Sequence, residues 1–413
     1  MTAQLLFYIV IGIIITEFVW DSFLNYLNSK HYNDKIPNEL NDVYDADAYV
    51  KSQNYKMTNY RFRFWLSLFS LGMMLLFFIF DGFAFVDSYV RNYTDNSIYI
   101  SLLFIGVIIL ANDVITTPFS YYQNFVIEEK FGFNKSTKMT FWLDKVKGMA
   151  LLFVIGGTLL YAILWFYEKT GTNFWGYTWA LMTVFSVFIN MFYSSLIVPL
   201  FNKQTPLEDV DLKIVIEKFA TKVGFKLNNI YVIDGSKRSS KANAYFAGFG
   251  PKKRIVLYDT LINDLENEEI VGVLAHEIGH YKKKHTLYNL VLSILTTGLM
   301  LYILSLFIDS TLLAQALGVD KPSFHIAIIA FGILYSPISE ITGLLMNVLS
   351  RKFEYQADDF AKNNYDAKYL ISALKKLSKN ALSNLTPHSL YSFMNYSHPT
   401  LLQRIINLKN TES

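Results

Sequence analysis

The sequence predicts an all-α polytopic membrane protein of seven transmembrane helices, with a small α+β domain on the cytoplasmic side. Three observations carry that prediction. The 413 residues are 52% hydrophobic and 16% aromatic, and only 17% are charged; with a mean hydropathy of +0.26, this is too apolar for an ordinary soluble chain. Seven apolar stretches are each long enough to cross a hydrocarbon core of roughly 30 Å at about 1.5 Å per residue. The segments joining them alternate between Lys/Arg-rich and nearly bare.

The first stretch, 5–27, lacks a small-x-small cleavage pattern, so it reads as a retained span and not as a signal peptide. The next four cover 64–86, 98–119, 148–167 and 174–200, and the last two 287–308 and 325–349. Segment 28–63 carries Lys30, Lys35, Lys51, Lys56, Arg61 and Arg63, and segment 120–147 carries Lys130, Lys135, Lys138, Lys145 and Lys147. Segment 202–286 and the C-terminal tail are also basic, whereas the alternate connections hold Arg91, Lys169 and Lys321. Basic segments stay on the cytoplasmic side. Seven crossings then put the N-terminus outside and segment 202–286 and the C-terminus inside. The chain divides at 1–200, 201–286, 287–350 and 351–413.

Inside 202–286, residues 206–225 read as an amphipathic helix, with Leu207, Val210, Leu212, Val215, Ile216 and Phe219 at helical spacing. A strand at 229–234 precedes Gly235, and 243–249 with 254–259 form a hairpin around Gly250-Pro251. Asn267 caps a helix with Glu268 and Glu269 in its first turn, where acids suit the dipole; this helix is open to running on into the sixth span. Residues 366–377 and 401–408 read as amphipathic helices and 386–397 as a loop.

The predicted helix carries His276-Glu277-Ile278-Gly279-His280, an H-E-x-x-H motif. Residues four apart share a helix face, so both imidazoles can reach one Zn²⁺, and Glu277 is placed to take a proton from water. The competing reading is a chance match on a solvated helix. A catalytic site needs a third ligand, and with no cysteine in the chain it must be His, Asp or Glu. Glu354 is the best candidate, and Asp358, one turn later, could accept the spare N–H of a ligand imidazole. From spacing alone the two read equally as a solvated acidic face beside Arg351 and Lys352. His285, after three lysines, reads as solvated or at the membrane surface; His31, His388 and His325 have no partner spacing, and His398 alone reads as a structural residue before Pro399. Glu17, Asp21, Asp81, Asn112, Asp113, Asn190 and Glu340 interrupt the spans and face either a wetted chamber or one another. A net charge of +3 gives no sign of a nucleic-acid partner.

H-E-x-x-H followed, across a span, by Ser350-Arg351-Lys352-Phe353-Glu354-Tyr355-Gln356-Ala357-Asp358 resembles the integral-membrane zinc metalloproteases of the CAAX prenyl protease type 1 family. The resemblance extends to 125–135, to Lys237-Arg238-Ser239-Ser240, to Asn243-Ala244-Tyr245-Phe246, to 253–261, and to Tyr396-Ser397-His398-Pro399 with Leu401-Leu402-Gln403-Arg404. It implies seven helices enclosing a water-filled chamber, closed on the cytoplasmic side by the metalloprotease domain. It implies one Zn²⁺ per chain held by His276, His280 and Glu354, with Glu277 as base and His398 stabilising the oxyanion. Asp358 and Arg404 would support the ligands. Asn243 and Ala244 would lie on a strand edge that pairs with the substrate backbone. The implied activity is peptide hydrolysis near the C-terminus of prenylated CAAX-type proteins or related peptides, in an endoplasmic-reticulum or bacterial inner membrane. The implied partners are a peptide or protein substrate, lipidated or not, and the bilayer. Two other readings are kept: a quality-control zinc protease acting on misfolded or stalled proteins, and a transporter or channel with structural zinc. The last would leave Glu277 without a task.

Overall fold

The computed structural model describes residues 1–225, 230–247 and 254–410. The membrane body begins with α1 (Ala3–Lys30), α2 (Ala46–Ile79), α3 (Gly82–Arg91) and α4 (Ser97–Tyr122). A π-helical turn at Gln123–Glu128 leads into the single turn α5 (Glu129–Phe131). α6 (Lys138–Leu151), α7 (Gly157–Thr170) and α8 (Phe174–Phe192) follow. Six helical stretches are long and apolar enough to cross a bilayer. The expected fourth and fifth spans share one of them, the run Lys138–Leu200, which turns at Gly171 (φ 57°). There α7 and α8 pack together, with the Phe166 and Tyr177 rings 5.6 Å apart.

The predicted second span, 64–86, is cut in two. α2 stops at Ile79, Asp81 adopts φ 51°, and α3 leaves in a new direction. The turn needs glycine at its exit, because a Cβ on Gly82 would lie 2.5 Å from the Phe77 ring. α3 then anchors the far end of the bundle. His325, which the sequence left without a partner, is buried there, with Nε2 2.8 Å from Asp87 and Nδ1 2.9 Å from Ser101. The polar residues within spans divide between the two expectations. Asp113 pairs with Lys145 at 2.7 Å, whereas Glu17 and Asp21 line a cavity of about 780 Å³ with Arg63 and Ser336.

After α8 the chain forms a small α+β domain of β1 (Gln204–Pro206), α9 (Val210–Lys222), β2 (Ile230–Ile233), β3 (Ala244–Ala247), β4 (Arg254–Tyr258), α10 (Asp259–Asp264) and α11 (Asn267–Lys282). The sheet order is β1-β2-β4-β3, with β2 and β4 parallel and the outer pairs antiparallel. Three sequence expectations are corrected here. The helix begins at Val210, where Asp209 caps Leu212 N–H, and Pro206 closes an edge strand, a position that needs no N–H. The cap of α11 is Glu266, in a reciprocal box with Glu269. α11 does not run on into the sixth span: Lys284 turns left-handed (φ 60°) and α12 (His285–Phe307) starts afresh. The predicted hairpin pairs as β3 with β4; its turn, and Asn229, lie outside the described residues.

The chain continues through α13 (Thr311–Ala316), α14 (Phe324–Asn364), α15 (Ala367–Asn380), α16 (Ser389–Asn395) and α17 (Leu401–Lys409). α16, capped by the His388 ring, occupies the expected loop 386–397. α14 is 41 residues long and runs well past the end expected of the seventh span. One apolar core joins α9, the sheet, α11, α15 and the ends of α14 and α17, through Ile216, Leu257, Ile270, Leu274, Ala361 and Leu408. Arg238 ties the domain to α6 by two bonds to Asp144, at 2.7 and 2.8 Å. Lys241 ties it to Glu128 at 2.9 Å.

α11 approaches its neighbours through glycine. A Cβ on Gly279 would lie 3.0 Å from Ala357 Cα, and one on Gly272 2.9 Å from the Leu370 nitrogen. Gly279→Ala is therefore expected to cost roughly 1–3 kcal/mol by overpacking, whereas Gly343→Ala, with open space around it, costs little; thermal unfolding in detergent compares the two. Glu269 binds Lys376 at 2.8 Å and Ser372 at 2.5 Å on α15. Burial pushes its carboxyl up, but these bonds and the Glu266 N–H outweigh burial and lower it. Its stabilisation is then full above the ordinary Glu value of about 4.3 and is lost as pH falls through the lowered one. Glu269→Gln should lose about 1–2 kcal/mol at neutral pH, a modest figure because Lys376 is 40% exposed. The gap to the parent should close in acid, and a constant gap would contradict this account.

Candidate metal centre

Two helices bring the centre together. On α11, His276 and His280 sit one turn apart, with their Nε2 atoms 3.2 Å from each other. On α14, Glu354 faces them, with Oε2 3.4 Å from His276 Nε2 and Oε1 3.2 Å from His280 Nε2. Two ligands of one tetrahedral ion, each about 2.0–2.1 Å from it, stand about 3.3 Å apart; each imidazole meets the carboxylate at about that distance, through different oxygens, and one atom from each of the three residues lies within 4.8 Å of the others. Glu354 Oε2 is buried and has no hydrogen-bond partner, an arrangement that is costly unless a cation compensates it. Two nitrogens and one oxygen are a borderline-hard donor set that suits Zn²⁺. The residues present therefore fit the metal that the motif predicts.

The support around the donors is also built from α14. His276 Nδ1 lies 2.8 Å from Asp358 Oδ1, and Asp358 is fully buried. If Nδ1–H donates to that carboxylate, the Nε2 lone pair is left for the metal. Arg404 of α17 holds Asp358 by two bonds, at 2.9 Å from Nε and 2.5 Å from Nη2, so the carboxylate is paired on both sides. Burial and Arg404 work against a charge on His276. The neighbouring Asp358 and Glu354 carboxylates prevail and raise its pKa to about 9, so metal loading must displace a proton from this cluster. Glu277 lies among the same charges, and burial raises its carboxyl above the usual range, the direction that suits a base working near neutrality.

His398 is 63% exposed at the rim, with Nε2 3.3 Å from Glu354 Oε1 and Nδ1 3.0 Å from Ser397 Oγ. A Ser397 hydroxyl donating to Nδ1 leaves Nε2–H directed at the centre. β3 runs beside α11, with the Phe246 and Tyr281 rings 5.2 Å apart. It pairs only with β4 among the described residues. Tyr258 N–H donates to the Asn243 carbonyl, so by alternation the N–H and C=O of Ala244 and Phe246 face the open edge. A cavity of about 540 Å³ lies beside β3 and reaches across the sheet, bordered by Asn190, Tyr193, Ile233, Asn243, Tyr245 and Tyr258. Asn243 itself precedes the strand and accepts Ala244 N–H on its side chain at 2.9 Å.

Sequence reasoning missed His285. It is not solvated: its side chain is buried, stacks on Phe353 with centroids 4.1 Å apart, and places Nδ1 2.9 Å from His280 Nδ1. Its Nε2 meets Gln356 Oε1 at 2.8 Å. The five-residue interval from His280 crosses the left-handed break at Lys284, so helical-face counting does not bring the two rings together.

Comparison with known proteins identifies the family. Residues 25–203 match the family described as CAAX prenyl protease N-terminal, five membrane helices, and residues 206–412 match Peptidase family M48. The chain is 36% identical to CAAX prenyl protease 1 of Saccharomyces cerevisiae, covering 97% of this chain and 94% of that protein. It is likewise 36% identical to the CAAX prenyl protease 1 homolog of Arabidopsis thaliana, covering 96% of each. The crystal structure of S. mikatae Ste24p superposes with a TM-score of 0.92 at 34% identity, covering 98% of this chain and 99% of that one. The chain thus belongs to peptidase family M48 and, within it, to the CAAX prenyl protease 1 group of membrane zinc metalloproteases.

Proposed function

We propose that this protein is a seven-span endopeptidase with one Zn²⁺ per chain, held by His276, His280 and Glu354, and that it cuts prenylated CAAX-type C-terminal peptides. The observation that carries the reading is the convergence of two imidazole nitrogens, 3.2 Å apart, on the Glu354 carboxylate, each 3.2–3.4 Å from one of its oxygens, with Oε2 buried and without a hydrogen-bond partner. The substrate class follows the name shared by relatives matched along almost the whole chain. Basic connecting segments favour a centre on the cytoplasmic side. The five helices within residues 1–200 and the pair within 287–350 would form the membrane body, with 201–286 and 351–413 carrying the chemistry.

Bound Zn²⁺ supplies Lewis acidity at the scissile carbonyl and lowers the pKa of the attacking water. Glu277 takes the proton from that water and returns it to the leaving amine. His398 donates Nε2–H to the oxygen that gains charge. The open edge of β3 at Ala244 binds the substrate as an added strand, which holds backbone without demanding particular side chains. Asn243 fixes the entry to that strand, and Asp358 with Arg404 keeps His276 oriented.

Three outcomes follow for purified protein in detergent. Chelation should abolish cleavage of a farnesylated CAAX peptide and zinc should restore it, and Glu277→Gln should lower turnover about 100- to 10,000-fold while zinc stays bound. Full activity in that variant with its metal retained would defeat the mechanism, and equal cleavage of the unprenylated peptide would defeat the substrate assignment. His398→Ala should lower kcat about 100- to 1,000-fold without changing stability, since the ring is largely exposed; an unchanged kcat would remove it from the reaction.

A further inference from the structure

His280 lacks the carboxylate that supports His276. A ligand imidazole needs one nitrogen bare for the metal, and the hydrogen bond at its other nitrogen decides which tautomer it adopts. At His276 Asp358 makes that choice. At His280 the partner of Nδ1 is another imidazole nitrogen, His285 Nδ1, at 2.9 Å. Two such nitrogens bond only if one carries hydrogen and the other does not, so the pair is ordered only if something outside it breaks the symmetry.

Gln356 supplies that asymmetry. Its Oε1, an acceptor, lies 2.8 Å from His285 Nε2. The hydrogen of a neutral His285 therefore belongs on Nε2, leaving Nδ1 bare. Bare Nδ1 accepts from His280 Nδ1–H, and the His280 Nε2 lone pair then points at Glu354 and His276. The polarity runs one way, from the His280 ring through His285 to the glutamine oxygen. Position is fixed as firmly as polarity: His285 is 2% exposed and lies flat on Phe353, with an interplanar angle of 10°. Phe353 and Gln356 flank Glu354 on α14, so the helix that offers the third donor also holds the device that prepares the second.

We propose that His285 and Gln356 form a tautomer relay that presets His280 Nε2 as a metal donor, making both positioning residues for the zinc centre. The proposal rests on the ligand set given above and extends it. It distinguishes the two ligand histidines: one is oriented by a charged carboxylate clamped by arginine, the other by a neutral chain that adds no charge to the site.

The test measures zinc affinity of the full-length protein by competition with a chromophoric chelator, together with the visible absorption of the Co²⁺-substituted form. His285→Phe keeps a ring on Phe353 but removes the acceptor, and should weaken zinc binding about 10- to 100-fold and alter the Co²⁺ spectrum. His285→Asn, whose Oδ1 can stand in for Nδ1, should recover most of that loss. Gln356→Leu frees His285 to take the opposing tautomer and should weaken binding several-fold. Parental affinity in both His285→Phe and Gln356→Leu overturns the relay, as does an Asn variant as weak as the Phe one. If His285→Phe does not fold, Gln356→Leu decides alone. His280→Ala separates the two levels: zinc held as tightly as in the parent defeats the ligand set, whereas loss of zinc there with parental affinity in the relay variants defeats only the relay.

Discussion

Everything at the centre depends on how closely two helices can lie. α11 carries the imidazoles and α14 the carboxylate, and the donors meet only because Gly279 sets bare backbone against Ala357. Neither residue is a ligand, yet each lies inside its motif, Gly279 between the two histidines and Ala357 between Glu354 and Asp358. Helices normally pack with axes 8–10 Å apart, depending on the side chains between them. With hydrogen and methyl as the intervening groups, backbone comes close to backbone here, and a Glu side chain and two His side chains can share one ion. Gly272, seven residues before Gly279 and hence on nearly the same face, lets α15 approach in the same way.

Burying such a cluster is an electrostatic problem as well as a steric one. Glu354 and Asp358 are almost wholly enclosed, and two uncompensated carboxylates there would cost more than the core could offset. Arg404 answers one by a two-point bond to Asp358 and stands 3.7 Å from Glu354. A metal ion held there would answer the other. α17 is thus a component of the site, although only one of its side chains touches it, and its apolar residues Ile405 and Leu408 hold that arginine in place.

The readable stretches of the sequence are those where chemistry and helical geometry coincide. His276 and His280 are legible because four residues make one turn, and Glu354 with Asp358 for the same reason. Positive-φ residues hide the rest. Hydropathy cannot see the break at Asp81, because Phe83, Ala84, Phe85 and Val86 continue the apolar run in a different direction. The break at Lys284 conceals His285 in the same way. β1 escapes notice because a three-residue edge strand ending in proline carries no alternation to detect. The resemblance offers what periodicity cannot: expected roles for Asn243, Ala244, His398 and Arg404, of which His398 and Arg404 reach Glu354 only through the tertiary fold.

The order of the pieces along the chain has a consequence for biogenesis. His276 and His280 leave the ribosome before α12 and the membrane portion of α14 have been made, and Glu354, Asp358 and Arg404 come only after both. A nascent chain that ends with α11 holds His276, Glu277 and His280 but lacks Glu354 and Arg404. Hydrolytic competence is therefore deferred until the last membrane helices are seated against the domain. The chain is in this way without a complete centre for as long as it is itself being made.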